Sequence, residues 1–152
     1  TDSRVRVMEQ TDIRSVSAVD LGGPFPLVVV DVSFVSLTAL MAPLAQLTQP
    51  GGDLVVLVKP QFEVSRREAS RGRGVIRSPR LWAEAIARVV EAAGDVSLLP
   101  VSATVSSVRG AQGNVEFFVG LQTGTSGSSP DGPAAGWIGA LVDGVEVRPD
   151  GS

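Results

Sequence analysis

The sequence predicts an α/β fold, a mainly parallel sheet with helices packed on it, and three observations carry that reading. Two near-continuous apolar runs, Leu27 to Val32 and Leu54 to Lys59, have the composition of strands buried on both faces. Between them, Leu37 to about Leu47 repeats with helical spacing. The resulting strand, helix, strand unit is the kind that places two strands parallel. Beyond them an amphipathic helix is signalled from Ser78-Pro79 onward. At 152 residues the chain has room for one core, and a hydrophobic content of 43% suffices to fill it.

Taken in order, Arg4-Val5-Arg6-Val7-Met8 alternates with period two and predicts a short strand, closed by the polar turn Glu9-Gln10-Thr11-Asp12. Ile13 to Leu21 is weakly patterned and predicts a short helix before Gly22-Gly23-Pro24 breaks it. Leu27 to Val32 is the next strand. Ser36 is placed to cap the helix that runs from Leu37 to about Leu47, which Gln49-Pro50-Gly51-Gly52 closes. Leu54 to Lys59 is the central strand. Residues 60–79 read as a long irregular basic segment holding Arg66, Arg67, Arg71, Arg73 and Arg77, a mobile flap beside a site for an anion. In the helix after Pro79, Leu81, Trp82, Ala85, Ile86, Val89, Val90 and Ala93 share one face, so Trp82 is read as packing, and Gly94 ends it. Val96 to Val101 and Val115 to Leu121 are the last strands. Their connection is too short for a helical crossover, so they are expected to pair antiparallel. Residues 123–152 read as a Gly/Ser/Pro-rich flexible tail, with one apolar turn at Trp137 to Val142 that docks back.

Composition narrows the chemistry. The chain holds neither cysteine nor histidine, which excludes disulfides, Ser-His-Asp and Cys-His catalysis and zinc chemistry, so no metal is expected. Net charge is −3 with a pI near 4.9, which argues against a surface that is basic throughout but leaves room for a basic patch. A membrane span is disfavoured. Between Leu21 and Gly52 the only charge is Asp31, yet Gly22-Gly23-Pro24, Pro26 and Pro43 interrupt the stretch. The opening Thr-Asp-Ser-Arg, without an initiator Met, reads as the start of a fragment or a processed product.

Lys59 is the single lysine; the other twelve cations are arginines. An amine can be brought toward neutral pKa by its surroundings and act as a base, which a guanidinium cannot. In an open parallel sheet, reactive groups gather at the carboxyl ends of the strands. Asp31 and Lys59 both stand there. The last strand runs the other way, so Glu116 near its start reaches the same sheet edge. A lysine between two carboxylates is either a poised acid-base group or a structural ion-pair network.

Val-Val-Asp-Val-Ser-Phe-Val-Ser-Leu (29–37), Leu-Val-Lys-Pro-Gln-Phe-Glu-Val (57–64), Gly-Val-Ile-Arg-Ser-Pro (74–79) and Gly-Asn-Val-Glu-Phe-Phe (113–118) resemble the TlyA (haemolysin A) family of ribosomal RNA 2′-O-methyltransferases, which carry an FtsJ-like domain. The opening Val-Arg-Val-Met-Glu-Gln-Thr-Asp also fits, and the resemblance covers about residues 4–122. It implies a Rossmann-like class I methyltransferase sheet over residues 1–122. The implied enzyme is cytoplasmic and uses S-adenosylmethionine to methylate a ribose 2′-hydroxyl, of cytidine, in ribosomal RNA. Such enzymes use a Lys-Asp-Lys-Glu tetrad. Asp31, Lys59 and Glu116 match its last three members: Lys59 takes the hydroxyl proton, Asp31 orients the amine near the cofactor, and Glu116 supports them. Thr11, Asp12 and Ile13 match the turn beside the cofactor's adenine, and the arginines of 66–77 are placed to meet RNA.

The chain departs from that family in two respects. The glycine-rich cofactor loop, the acidic residue for the cofactor ribose, the first tetrad lysine and an S4-type RNA-binding module would all precede residue 1. The loop 102–112 also lacks the family's Gly-Pro pattern. The resemblance therefore implies that these 152 residues alone bind the cofactor poorly and do not turn over. Two other functions compete with this one. A pore-associated protein, as the family's older name suggests, is disfavoured by the interrupted apolar stretch, and a non-catalytic scaffold binding RNA or a partner is disfavoured by the retained Asp31, Lys59 and Glu116.

Overall fold

The computed structural model describes residues 2–124 and 136–145. Four strands form one sheet: β1 (Phe25–Val30), β2 (Thr48–Val58), β3 (Leu98–Val105) and β4 (Phe117–Thr123), in the order β1-β2-β4-β3. β1 and β2 are parallel, with Val29 beside Val55 and Val30 beside Val56. β2 and β4 are antiparallel, with Leu57 beside Phe118 and Val58 beside Phe117, and β3 and β4 are antiparallel as well. The expected antiparallel last pair is therefore present, inserted so that β4 lies next to β2.

Helices cover one face. α2 (Met41–Leu47) connects β1 to β2, α5 (Pro79–Gly94) precedes β3, and α6 (Trp137–Asp143) packs on α5 and β3. Leu54, Val56, Val58, Phe117, Val119 and Leu121 point into this layer and are fully buried against Met41, Leu44, Trp82, Ile86 and Val89. Trp82 is a packing residue, in agreement with its place on the apolar face: its ring lies 6.0 Å from Phe117 and its indole N–H donates to the Ile76 carbonyl at 2.8 Å. At 25 cal/mol per Å² this apolar layer is the main stabilising contribution of the fold, about 2 kcal/mol for each buried large side chain.

Two apolar patterns lie less deep than the sequence predicts. The composition of β1 and β2 predicts strands buried on both faces. Instead only alternate residues are covered, and on the opposite face Leu27 is 55% and Val29 67% exposed. The described helices that pack on the sheet, α2, α5 and α6, all share one apolar cluster with the buried rows. The strand expected at Arg4–Met8 does not form. Val5 and Val7 are 61% and 67% exposed, and with no strand beside it an alternating segment gains no ladder hydrogen bonds.

The segment 60–79 also differs from the expected irregular flap. It contains α3 (Pro60–Glu63) and α4 (Arg66–Arg71). Pro60 pre-sets the first turn of α3. Ser65 and Glu68 form a reciprocal capping box that starts α4, the Ser65 oxygen accepting from the Glu68 N–H at 3.3 Å and the Glu68 carboxylate accepting from the Ser65 N–H at 3.2 Å. Near the start of the chain, Ile13–Ser15 is a 3₁₀ turn and α1 (Ala18–Leu21) ends at Gly22, whose φ of 85° is a left-handed cap that glycine adopts without steric cost. The helix expected from Leu37 is split, with a 3₁₀ turn at Leu37–Ala39 before α2. The apolar turn expected at Trp137 is α6, while the rest of the tail reading, 125–135 and 146–152, lies outside the described residues.

Candidate active site

The strand ends converge as their registers require. β1 ends at Val30, β2 at Val58, and β4 begins at Phe117. Asp31, Lys59 and Glu116 are each one residue beyond those limits. By strand alternation each continues the row on the sheet face that the described helices leave open, Asp31 after Leu27 and Val29, and Lys59 after Val55 and Leu57. Glu116 continues the row of Phe118 and Gly120. Since Val58 pairs with Phe117, one further step of the antiparallel register sets Lys59 opposite Glu116.

Asp31 and Lys59 are in contact. The Lys59 Nζ lies 2.5 Å from Asp31 Oδ1, with the lysine side chain 12% and the aspartate side chain 65% exposed. The same amine donates to Ser33 Oγ at 3.1 Å. Two acceptors on one turn therefore fix the amine's direction while the carboxylate stays open to solvent. Sequence reasoning missed Ser33, although it lies two residues from Asp31 in the Asp-Val-Ser-Phe run.

Glu116 is only 7% exposed. Its carboxylate lies directly over Gly110, where a built Cβ would overlap Glu116 Oε1 and stand 2.5 Å from its Cδ. The loop before it is tied down by Asn114, itself 2% exposed. Asn114 Oδ1 accepts from the Ile76 N–H at 3.0 Å and its Nδ2 donates to the Gly74 carbonyl at 2.9 Å. One carboxamide thus joins the Gly-Val-Ile segment to the Gly-Asn-Val-Glu segment and holds both at the sheet edge. Nothing in periodicity marks Asn114; a buried amide bonded to two backbone groups is visible only once the loops are placed.

A third link comes from Glu63, 5% exposed, which accepts from the Leu37 N–H at 2.8 Å and from the Ser36 hydroxyl at 2.5 Å. Burial pushes its carboxyl above the ordinary carboxylate range, against the smaller lowering effects of Ser36, Leu37 and Arg88. Between these links Phe34 sits at φ 67° with 91% of its surface exposed, its ring 5.1 Å from that of Phe62. A left-handed, solvent-facing phenylalanine next in sequence to Ser33 is a costly arrangement of the kind concentrated at functional sites.

The remaining candidates stand apart from this cluster. Thr11, Asp12 and Ile13 form one turn whose hydrogen bonds run within residues 9–15. Thr11 Oγ1 donates to the Glu9 carbonyl, and the Arg14 guanidinium, 2.6 Å from Asp12 Oδ2, holds that carboxyl down to about 2. Ile13 packs against the edge of the core. Of the five arginines, Arg66, Arg67 and Arg71 are on α4, and Arg73 and Arg77 follow it. Arg71 and Arg77 line a cleft of about 380 Å³ together with Arg80, Glu68 and Ser78.

A parallel strand pair extended by an antiparallel pair, with a carboxylate and an amine meeting at the carboxyl ends of the parallel strands, defines an α/β sheet of methyltransferase type. The chain belongs to the FtsJ-like methyltransferase family, which matches residues 1–123. It is 38% identical over 124 residues to the 16S/23S rRNA (cytidine-2′-O)-methyltransferase TlyA of Mycobacterium tuberculosis, covering 82% of this chain and 46% of that protein. It is 34% identical over 121 residues to YqxC of Bacillus subtilis, provisionally named an rRNA methyltransferase, covering 79% of this chain and 43% of that one. A solved structure from Streptococcus thermophilus, provisionally named a hemolysin, superposes with a TM-score of 0.84 at 33% identity, over 93% of this chain and 50% of its own. The chain spans about half the length of the curated relatives it matches. Among the described residues no helix is long and apolar enough to cross a membrane.

Proposed function

We propose that the protein carrying this chain transfers a methyl group from S-adenosylmethionine to the 2′-hydroxyl of a ribose in ribosomal RNA, with cytidine as the target nucleoside. The observation that carries this reading is the Lys59 amine held between Asp31 and Ser33 at the open edge of a sheet of the FtsJ-like family. S-adenosylmethionine, when bound, supplies an electrophilic methyl. What the residues must provide is a proton acceptor and a fixed approach for the hydroxyl. Lys59, as the free amine, accepts the 2′-hydroxyl proton as the oxygen attacks. Asp31, bonded to the amine and open to solvent, aims it and then stabilises the ammonium that forms. Glu116, opposite Lys59 in register but not bonded to it, would serve as a second carboxylate at that edge.

The residues present fit one side of the cofactor. Asp31 would face its methyl end, and the exposed turn Thr11-Asp12-Ile13 its adenine, with Asp12 held fixed by Arg14. Half of the relatives' length lies outside the match, so we further propose that these 152 residues alone bind the cofactor weakly and turn over poorly. Calorimetry showing micromolar affinity for S-adenosylmethionine would refute that.

The RNA reading is supported by α4 and its flanks, where Arg66, Arg67, Arg71, Arg73 and Arg77 offer phosphate contacts. Phe34 supports it as well, because an exposed aromatic ring on the residue after Ser33 suits stacking on an unpaired nucleobase. Such an enzyme acts where ribosomes are, in the cytoplasm. Methyl transfer to ribosomal RNA by the full-length protein tests the proposal. Lys59→Ala should lose roughly 10²–10⁴-fold in rate while keeping its fold. Wild-type turnover by that variant would overturn the assignment of Lys59.

A further inference from the structure

Glu63 is a buried carboxylate that the proposed chemistry leaves unused. Burying an acid is costly unless its bonds are well made. Its bonds here are specific. Both oxygens are engaged by consecutive residues, Oε1 by the Leu37 N–H at 2.8 Å and Oε2 by the Ser36 hydroxyl at 2.5 Å. The Ser36 oxygen in turn accepts from the Thr38 N–H at 3.2 Å, while its one proton goes to the carboxylate, the strongest acceptor in reach. On the other side, Arg88 of α5 donates to the Glu63 carbonyl at 3.3 Å, which anchors the end of α3 to the helical layer.

The consequence lies in where these partners sit. Lys59 precedes α3 and Glu63 ends it. Asp31 and Ser33 open the turn that Ser36 and Leu37 close. The two segments are therefore joined twice, at one end by the Lys59 amine with Asp31 and Ser33, and at the other by Glu63 with Ser36 and Leu37. The Phe34–Phe62 ring contact lies between the two joints. A turn pinned at both ends cannot swing its acceptors away from the amine without breaking a buried bond.

We propose that Glu63 is the positioning residue of this site: by clamping Ser36 and Leu37 it sets the distance of the Asp31–Ser33 turn from the Lys59 amine. Glu63 touches neither the amine nor the open face, so it acts through the turn alone. The inference rests on the reading of Lys59 as the base only for its catalytic meaning; the geometric claim is tested separately.

The single lysine makes the test clean. Reductive methylation of the 152-residue chain with formaldehyde and a borohydride-type reductant modifies Lys59 and the terminal amine, which peptide mapping separates. Glu63→Ala should raise the Lys59 labelling rate roughly fivefold, the worth of one hydrogen bond restraining the amine. Glu63→Gln, which keeps an acceptor for the Leu37 N–H, should stay within about twofold of wild type. Val89→Ala, a truncation in α5 at a fully buried position, controls for loosened packing and should leave the rate unchanged. If Glu63→Ala fails to fold, Ser36→Ala removes one of the two bonds and should raise the rate by a smaller factor. An unchanged rate in Glu63→Ala or, where that fails to fold, in Ser36→Ala overturns the proposal. So does an equal rise in Val89→Ala. Labelling reads the cradle whether or not Lys59 is a base, so an active full-length Lys59→Ala would sink the methyl-transfer assignment and leave this result standing.

Discussion

Replacing Asn114 by alanine tests the tie that holds two loops at the sheet edge. The side chain is 2% exposed and bridges the Ile76 N–H at 3.0 Å and the Gly74 carbonyl at 2.9 Å. Ile76 is itself 3% exposed, so after truncation its N–H has no access to water, and leaving such a donor unpaired costs about 1–3 kcal/mol. The Gly74 carbonyl is only partly buried and water replaces most of its bond, adding about 0.5–1 kcal/mol. The expected loss is therefore about 1.5–4 kcal/mol, a large part of the ~5–15 kcal/mol that holds a domain folded. Urea unfolding of wild type and Asn114→Ala at equal m-value measures it. Amide exchange at Ile76 should accelerate in parallel. Asn114→Asp keeps the acceptor for Ile76 but turns a carboxylate on the Gly74 carbonyl, so it should not recover the loss. A change below about 0.5 kcal/mol in Asn114→Ala would refute the argument that this amide is buried and doubly used.

Three further outcomes are expected. Gly110→Ala would drive a Cβ into Glu116 Oε1 and to 2.5 Å from its Cδ. Because Glu116 is buried, relief requires moving the loop, at about 1–3 kcal/mol; thermal unfolding matching wild type would show that the carboxylate does not lie against Gly110. The second concerns pH. Burial raises the Glu63 carboxyl above 4.5 while Ser36, Leu37 and Arg88 pull it down by less. The folded state thus holds the proton more tightly than the unfolded one. The resulting stability is fully present below about pH 4.5 and is lost as pH rises through the folded value. Glu63→Gln lacks that titration and should gain on wild type from about pH 4.5 toward neutrality; a pH-independent difference between the two would contradict it. Finally, Trp82→Phe removes the indole donor to the Ile76 carbonyl and leaves a cavity where the larger ring packed, and should cost about 2–4 kcal/mol in urea.

The parts of the fold that were legible are those written in local chemistry. Ser78-Pro79 and the spacing of Trp82, Ala85, Ile86 and Val89 define α5 almost to the residue, since both the start signal and the buried face are properties of that segment alone. The antiparallel last pair follows from loop length. The capping box at Ser65 and Glu68 is also local and available, yet the arginine-rich composition of 60–79 masks it, so a flap is expected where α4 forms. For the site, Asp31 and Lys59 follow from strand ends, because a register brings such ends together whatever lies between. Ser33, Glu63, Asn114 and Gly110 do not. Each works through a contact between segments 26 or more residues apart, or through a carboxylate's approach to a bare Cα, and neither leaves a periodic trace.

The misread apolar rows have one physical origin. Periodicity reports that a residue belongs to an apolar row and is silent on whether anything covers that row. Leu54 and Val55 are both apolar and adjacent in the chain, yet Leu54 is fully buried and Val55 is not. The difference is that α2 and α5 pack on the row of Leu54. Asp31, Lys59 and Glu116 continue the other row at the carboxyl ends of the parallel strands. The Lys59 side chain is largely covered, and its amine keeps its direction through two acceptors. Asp31 and Ser33 supply that direction at 2.5 and 3.1 Å, and the links through Glu63 and Asn114 place the rigidity in the loops behind the face. The direction of the amine thus depends on segments that meet only in the fold, the Asp31–Ser33 turn on one side and the loops tied by Glu63 and Asn114 on the other.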